Sequence, residues 1–128
     1  MSIPSTQTAP IINIYWGNYV PWNISYKDSA GVAISLVGKT ILFTAKTLKT
    51  DPDSAAIIKK AVSSHVNAAA GLSFMALDPV DTQIVMGTKT RVSLFFDFTI
   101  ISTGTANPIT FNSGILNVDL PATQRTSA

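Results

Sequence analysis

Residues 90–102 read TRVSLFFDFTIIS, and the alternation within them sets the fold class. Val92, Leu94, Phe96, Phe98 and Ile100 fall on every second position. Successive side chains of a strand point to opposite faces, so these five make one apolar face. Arg91, Ser93, Phe95, Asp97 and Thr99 make the other. Phe95 is the outlier there, an aromatic ring on a polar face, which implies that this second face is covered within the fold or by a neighbouring subunit. Asp97 sits mid-strand on the same face and is expected to pair with Arg91 or a neighbouring lysine, to face a partner subunit, or to stand exposed.

The same period recurs outward from this strand. Val20, Trp22, Ile24 and Tyr26 alternate within residues 19–27, as do Ile41, Phe43 and Ala45 within residues 39–48. Between them Asp28-Ser29-Ala30-Gly31 reads as a hairpin turn. Further strands are expected over residues 11–16, 71–77 and 109–120, the last with Gly114 as a candidate bulge. Residues 55–62 fit a helix by propensity and equally a strand returning beside residues 39–48. Asp78 before Pro79 predicts a capped helical turn. About seven short strands and one helical turn predict an all-β fold, a β-sandwich or small barrel. The domain is expected to span residues 11–121, with an arm over 1–10 and a tail over 122–128.

Composition points the same way. All seven acidic residues are Asp and there is no Glu, a bias toward turns over helices. With no cysteine in 128 residues, a disulfide framework and a Cys-based metal site are excluded. The formal charge of +2 is mild and the lysines are scattered, which argues against nucleic acid as a partner. The first residues lack the pattern of a secretory signal and no apolar run is long enough for a membrane span, so a soluble chain without a cleaved leader is expected. Only 12% of residues are charged and mean hydropathy is +0.31, so part of the surface is expected to be covered by partners, as in a homo-oligomer.

No reaction centre emerges. His65 is the only histidine, and without Cys or Glu it could ligate a metal only with distant aspartates, so it is expected to be an exposed loop residue. Asp51-Pro52-Asp53 is superficially like a calcium loop but lacks the closing Glu, and turn or capping roles fit Asp51, Asp53, Asp78 and Asp81 better. There is no Gly-x-Ser-x-Gly turn, so neither catalytic nor cofactor-binding nor metal residues are assigned. Trp16, Tyr19 and Trp22 form an aromatic group. Trp22 is in phase with the core, whereas Trp16 and Tyr19 are expected to be exposed interface aromatics. They also leave open a carbohydrate-binding module for host surfaces.

The order of these signals resembles the immunoglobulin-like N-terminal domain of phage baseplate upper proteins and related small tail proteins. The segments that carry the likeness are residues 24–46 (ISYKDSAGVAISLVGKTILFTAK), 51–60 (DPDSAAIIKK), 77–82 (LDPVDT), Phe96-Asp97-Phe98, and 110–118 (TFNSGILNV). The usual Gly-x-Tyr approach to the aromatic strand is here Gly87-Thr88-Lys89-Thr90-Arg91. The resemblance implies an immunoglobulin-like β-sandwich without catalysis or cofactor. It implies a virion structural role in a tail, baseplate or fibre-attachment assembly, located in the virion and, during assembly, in the host cytoplasm. A capsid decoration or neck protein would use the same fold. The expected partners are other virion proteins and further copies of the chain, with the arm, including Ile3 and Pro4, ordering on a neighbour.

Overall fold

Trp22 and the phenylalanines in phase with it meet across the gap between two sheets. The computed structural model describes residues 10–102 and 107–122, and these residues hold seven strands. They are β1 (Ile11–Tyr15), β2 (Val20–Ser25), β3 (Lys39–Lys46), β4 (Ile58–Val62), β5 (Leu72–Leu77), β6 (Arg91–Ser102) and β7 (Ile109–Asp119). One short helix, α1 (Pro79–Thr82), follows β5. The larger sheet has the order β1-β7-β6-β3-β4, and β2 pairs with β5 in the smaller one. β1 runs parallel to β7 and every other pairing is antiparallel. Strands two and five in one sheet against three, six and seven in the other is the immunoglobulin-like arrangement of a β-sandwich.

The alternating residues become the core as their period requires. Ile41, Phe43 and Ala45 are fully buried, and Leu94, Phe96, Phe98 and Ile100 nearly so. Trp22 comes from the opposite sheet, its ring centroid 5.1 Å from that of Phe43 and 5.5 Å from that of Phe98. Phe43 and Phe98 are themselves 5.0 Å apart. Rings at these separations and tilts add to the stabilisation from burial alone.

Residues 55–62, which fit either helix or strand, divide. A 3₁₀ turn covers Asp53–Ala55, and Ile58–Val62 then pairs antiparallel with β3. Val32, just past Gly31, is exposed, and Ala33 bridges back to Lys27. The turn between them forms as read: the Asp28 carboxylate accepts the Ala30 and Val32 N–H groups at 3.0 and 2.9 Å, and Gly31 has φ +82°. The strands on either side of it belong to different sheets, so this turn leads into the crossing from one sheet to the other.

Gly114 is not the bulge. The register of β7 on β6 shifts between Phe98 and Thr99, where Asn112 and Thr110 are the partners and Phe111 is the extra residue. The shift turns Phe111 inward against Tyr26 and Phe98, with centroids at 5.3 and 5.9 Å. Gly114 has a different task. A Cβ built on it would lie 2.0 Å from the Pro10 carbonyl oxygen and 3.1 Å from the Phe96 ring, so its missing side chain is the space through which the chain enters β1. We expect Gly114→Ala to cost about 2 kcal/mol, the size of an overpacking defect, and to loosen β1 first. Thermal unfolding and amide exchange in residues 11–15 would measure this, and a variant with wild-type stability would refute the assignment.

Candidate interaction face

The outer face of the five-stranded sheet is where strand register brings exposed side chains into rows. At one end Tyr15, Asp119 and Arg91 are cross-strand neighbours. The Arg91 Nε and Nη2 groups donate to the two Asp119 carboxylate oxygens at 2.5 and 3.0 Å, a bidentate pair. The Arg91 hydrogen bonds hold the Asp119 carboxyl below its ordinary value. The next row is polar: Ser93 Oγ donates to Asn117 Oδ1 at 2.6 Å, and Asn117 Nδ2 donates to Asn13 Oδ1 at 3.0 Å. The third row is Ile11, Ile115 and Phe95, with Ile11 61% exposed and the other two each 37% exposed. Three apolar side chains abreast on a water-facing sheet make a continuous strip.

The residues singled out in the sequence have distinct fates. Phe95 lies in the apolar row, and Lys49 Nζ sits 5.4 Å from its ring centroid in a cation–π contact. Asp97 is half-buried one row further along, opposite Thr44 and Ser113. Its carboxylate accepts the Thr99 hydroxyl at 3.1 Å, and no ion pair to it is found among the described residues. Arg91, the cation expected beside it, is taken by Asp119. Trp16 corrects the expectation of an exposed aromatic, because it is half-buried against the core and its Nε1–H donates to the Ile84 carbonyl at 2.9 Å. Tyr19 is exposed, but it lies in the connection between β1 and β2, off the sheet face. Ile3 and Pro4 lie outside the described residues.

Ile11, Asn13, Tyr15, Ile115 and Asn117 were missed by sequence reasoning. In IINIY both alternating sets contain isoleucine, so the period alone does not say which set faces out. The neutral asparagines give no signal until the register of β1 on β7 aligns them.

His65 is not the exposed loop residue expected. It is half-buried, with Nε2 2.7 Å from the Lys39 carbonyl oxygen and Nδ1 2.8 Å from Ser73 Oγ. A carbonyl only accepts, so Nε2 carries a proton and donates to Lys39, while Nδ1 and the Ser73 hydroxyl share the second bond. A serine–histidine bond is an ingredient of nucleophilic catalysis, but Ser73 is 3% exposed on the inner side of β5. The pair ties the loop after β4 to two strands. Among the described residues no three His, Cys, Asp or Glu side chains cluster to hold a metal, and no helix is long and apolar enough to cross a membrane.

The aspartates of the loops also act structurally. Lys46 Nζ is 2.7 Å from Asp53 Oδ1 and donates to the Asp51 carbonyl at 2.9 Å, closing the β3–β4 loop. Lys60 Nζ reaches Asp81 at 2.9 Å and Asp78 at 3.2 Å, joining β4 to α1. No protein-family model matches the chain, and no curated protein gives a significant match.

Burial pushes the Asp81 carboxyl up, but the Lys60 hydrogen bond, the Asp78 N–H that it accepts at 2.8 Å, and the Lys60 charge together hold it below its ordinary value. A lowered carboxyl contributes stability that is complete above its unfolded value, about pH 4, and is lost as pH falls through the folded value. Asp81→Asn should therefore be less stable than wild type at neutral pH, with the difference shrinking in acid. Melting temperatures of both proteins between neutral and strongly acidic pH test this, and a difference that stays constant with pH would count against the clasp.

Proposed function

We propose that the chain is a non-catalytic structural domain that acts by protein–protein assembly, and that its assembly is a bacteriophage virion, in the tail, baseplate or fibre-attachment region. The observation that carries the assembly reading is the strip Ile11, Ile115 and Phe95 on the outer sheet face, next to the polar row Ser93, Asn117 and Asn13, which is linked by its own hydrogen bonds. A face with an apolar strip and a hydrogen-bonded border is suited to a partner surface, since burying the strip is favourable and the border loses little on desolvation. The virion reading rests on the ordered likeness of residues 24–46, 51–60, 77–82, 96–98 and 110–118 to the N-terminal domain of phage baseplate upper proteins and related small tail proteins. The rigid sandwich supplies the body and the sheet face supplies affinity.

The test is the double substitution Phe95→Asp with Ile115→Asp. Both side chains are on the outer face, so the fold should persist, as judged by circular dichroism. Incorporation into particles, in a phage whose own copy is deleted and supplied in trans, should fall by at least about tenfold, as for loss of an interface hot spot. Incorporation at the wild-type level would overturn the reading.

A further inference from the structure

Among the described residues, β1 is an outer strand of the five-stranded sheet, and its free edge carries no protection. In the pairing with β7, the Pro10 carbonyl accepts the Ile115 N–H at 3.0 Å and the Trp16 N–H donates to the Asp119 carbonyl at 2.8 Å. Even-numbered residues of β1 thus aim their backbone groups at β7, and Ile11, Asn13 and Tyr15 aim theirs outward. The strand reads IINIY, with no charge and no proline. The opposite margin of the same sheet, β4, reads IKKAV, with Lys59 exposed and Lys60 clasped to α1. Sheet edges are ordinarily blunted by lysine, proline, bulges or covering segments. Here one margin has such protection and, among the described residues, the other has none.

We propose that the β1 edge pairs with β1 of a second copy, antiparallel, about a two-fold axis at Asn13. The outward groups at positions 11, 13 and 15 permit a self-complementary register in which Ile11 meets Tyr15 of the second copy, Ile12 meets Ile14, and Asn13 meets Asn13. The polar row carries across the axis, because Asn13 Oδ1 accepts from Asn117 while its own amide N–H₂, without a partner among the described residues, can donate to the second Asn13. The apolar strip of each copy continues into the Tyr15 row of the other. The backbone supplies about four hydrogen bonds, two between the Asn13 residues and two from Tyr15 N–H to Ile11 carbonyl. The Tyr15 carbonyl already holds the Asn18 N–H at 3.1 Å and is left out of that count. Because β4 is guarded, the pairing closes at two copies, one ten-stranded sheet, and does not propagate into a fibre. This inference rests on the assembly reading and names the first contact of that assembly.

The chain has no cysteine, so single introduced thiols report the register directly. In a hydrogen-bonded antiparallel pair the Cα atoms are about 5.5 Å apart, within disulfide reach. Full-length Asn13→Cys should give a covalent dimer on mild oxidation. Ile11→Cys alone should not, whereas a mixture of Ile11→Cys and Tyr15→Cys chains should cross-link. Asn13→Pro leaves the backbone bonds to β7 intact, because that N–H faces outward, and should raise the dimer dissociation constant by about thirtyfold in sedimentation equilibrium. A wild-type chain that stays monomeric at millimolar concentration, a dimer indifferent to Asn13→Pro, or cross-linking that ignores position would each overturn the proposal. A monomer that still enters particles overturns the pairing alone. A paired chain that never enters them leaves the pairing standing and overturns the assembly reading.

Discussion

The contact of Trp22 with Phe43 and Phe98 is the constraint on which the other features depend. β2 and β5 form a sheet of only two strands, and an isolated pair of strands is at best marginally stable in water. Its order comes from the indole wedged against two phenylalanines of the larger sheet, with Ile24, Met75 and Leu77 buried beside it. Once that gap is filled, the two sheets are held face to face and each inward position of β3 and β6 is set. The outward positions follow, because a strand that commits one face commits the other.

Charge is used in this molecule mainly to finish edges and loops. Lys46 closes the β3–β4 loop on Asp51 and Asp53, Lys60 ties β4 to α1, and Arg91 ties β6 to Asp119 of β7. Charged groups are few, and Lys46, Lys60 and Arg91 are held by aspartates of the chain's own loops and strands, so long stretches of surface are left neutral. The outer sheet face and the β1 edge are the places where neutrality coincides with exposed isoleucine and tyrosine. Burying apolar side chains of that kind removes them from water at little cost in desolvated charge. Ser73 and His65 are hydrogen-bonded to each other, and Ser73 is buried on the inner side of β5.

Legibility in the sequence tracked how local the governing physics is. The alternation of residues 90–102 predicts β6 to within a residue, and Asp78-Pro79 predicts α1, because side-chain direction and helix capping are decided within a few residues. Ile57 and Ile58 were ambiguous between helix and strand because propensity says little over so short a run, and pairing with β3 resolved them. Trp16 was misread because exposure of an aromatic near a strand end depends on what folds over it, and Ile84 lies 68 positions away. Gly114 was misread as a bulge because a missing side chain does not announce which backbone will pass beside it.

What this sequence determined by itself is the class of fold and the inward face of each long strand: an apolar period of two with turn residues between strands admits a sandwich and few other solutions. What only the tertiary structure decided is the candidate surface. Ile11, Ile115 and Phe95 form a row, and Asn13 joins Asn117 and Ser93, because the first strand lies parallel to the last, a pairing of residues more than a hundred positions apart. No local preference encodes that register. It follows from the depth of the core, the space left at Gly114, and the hydrogen bonds that only the assembled sheet can make.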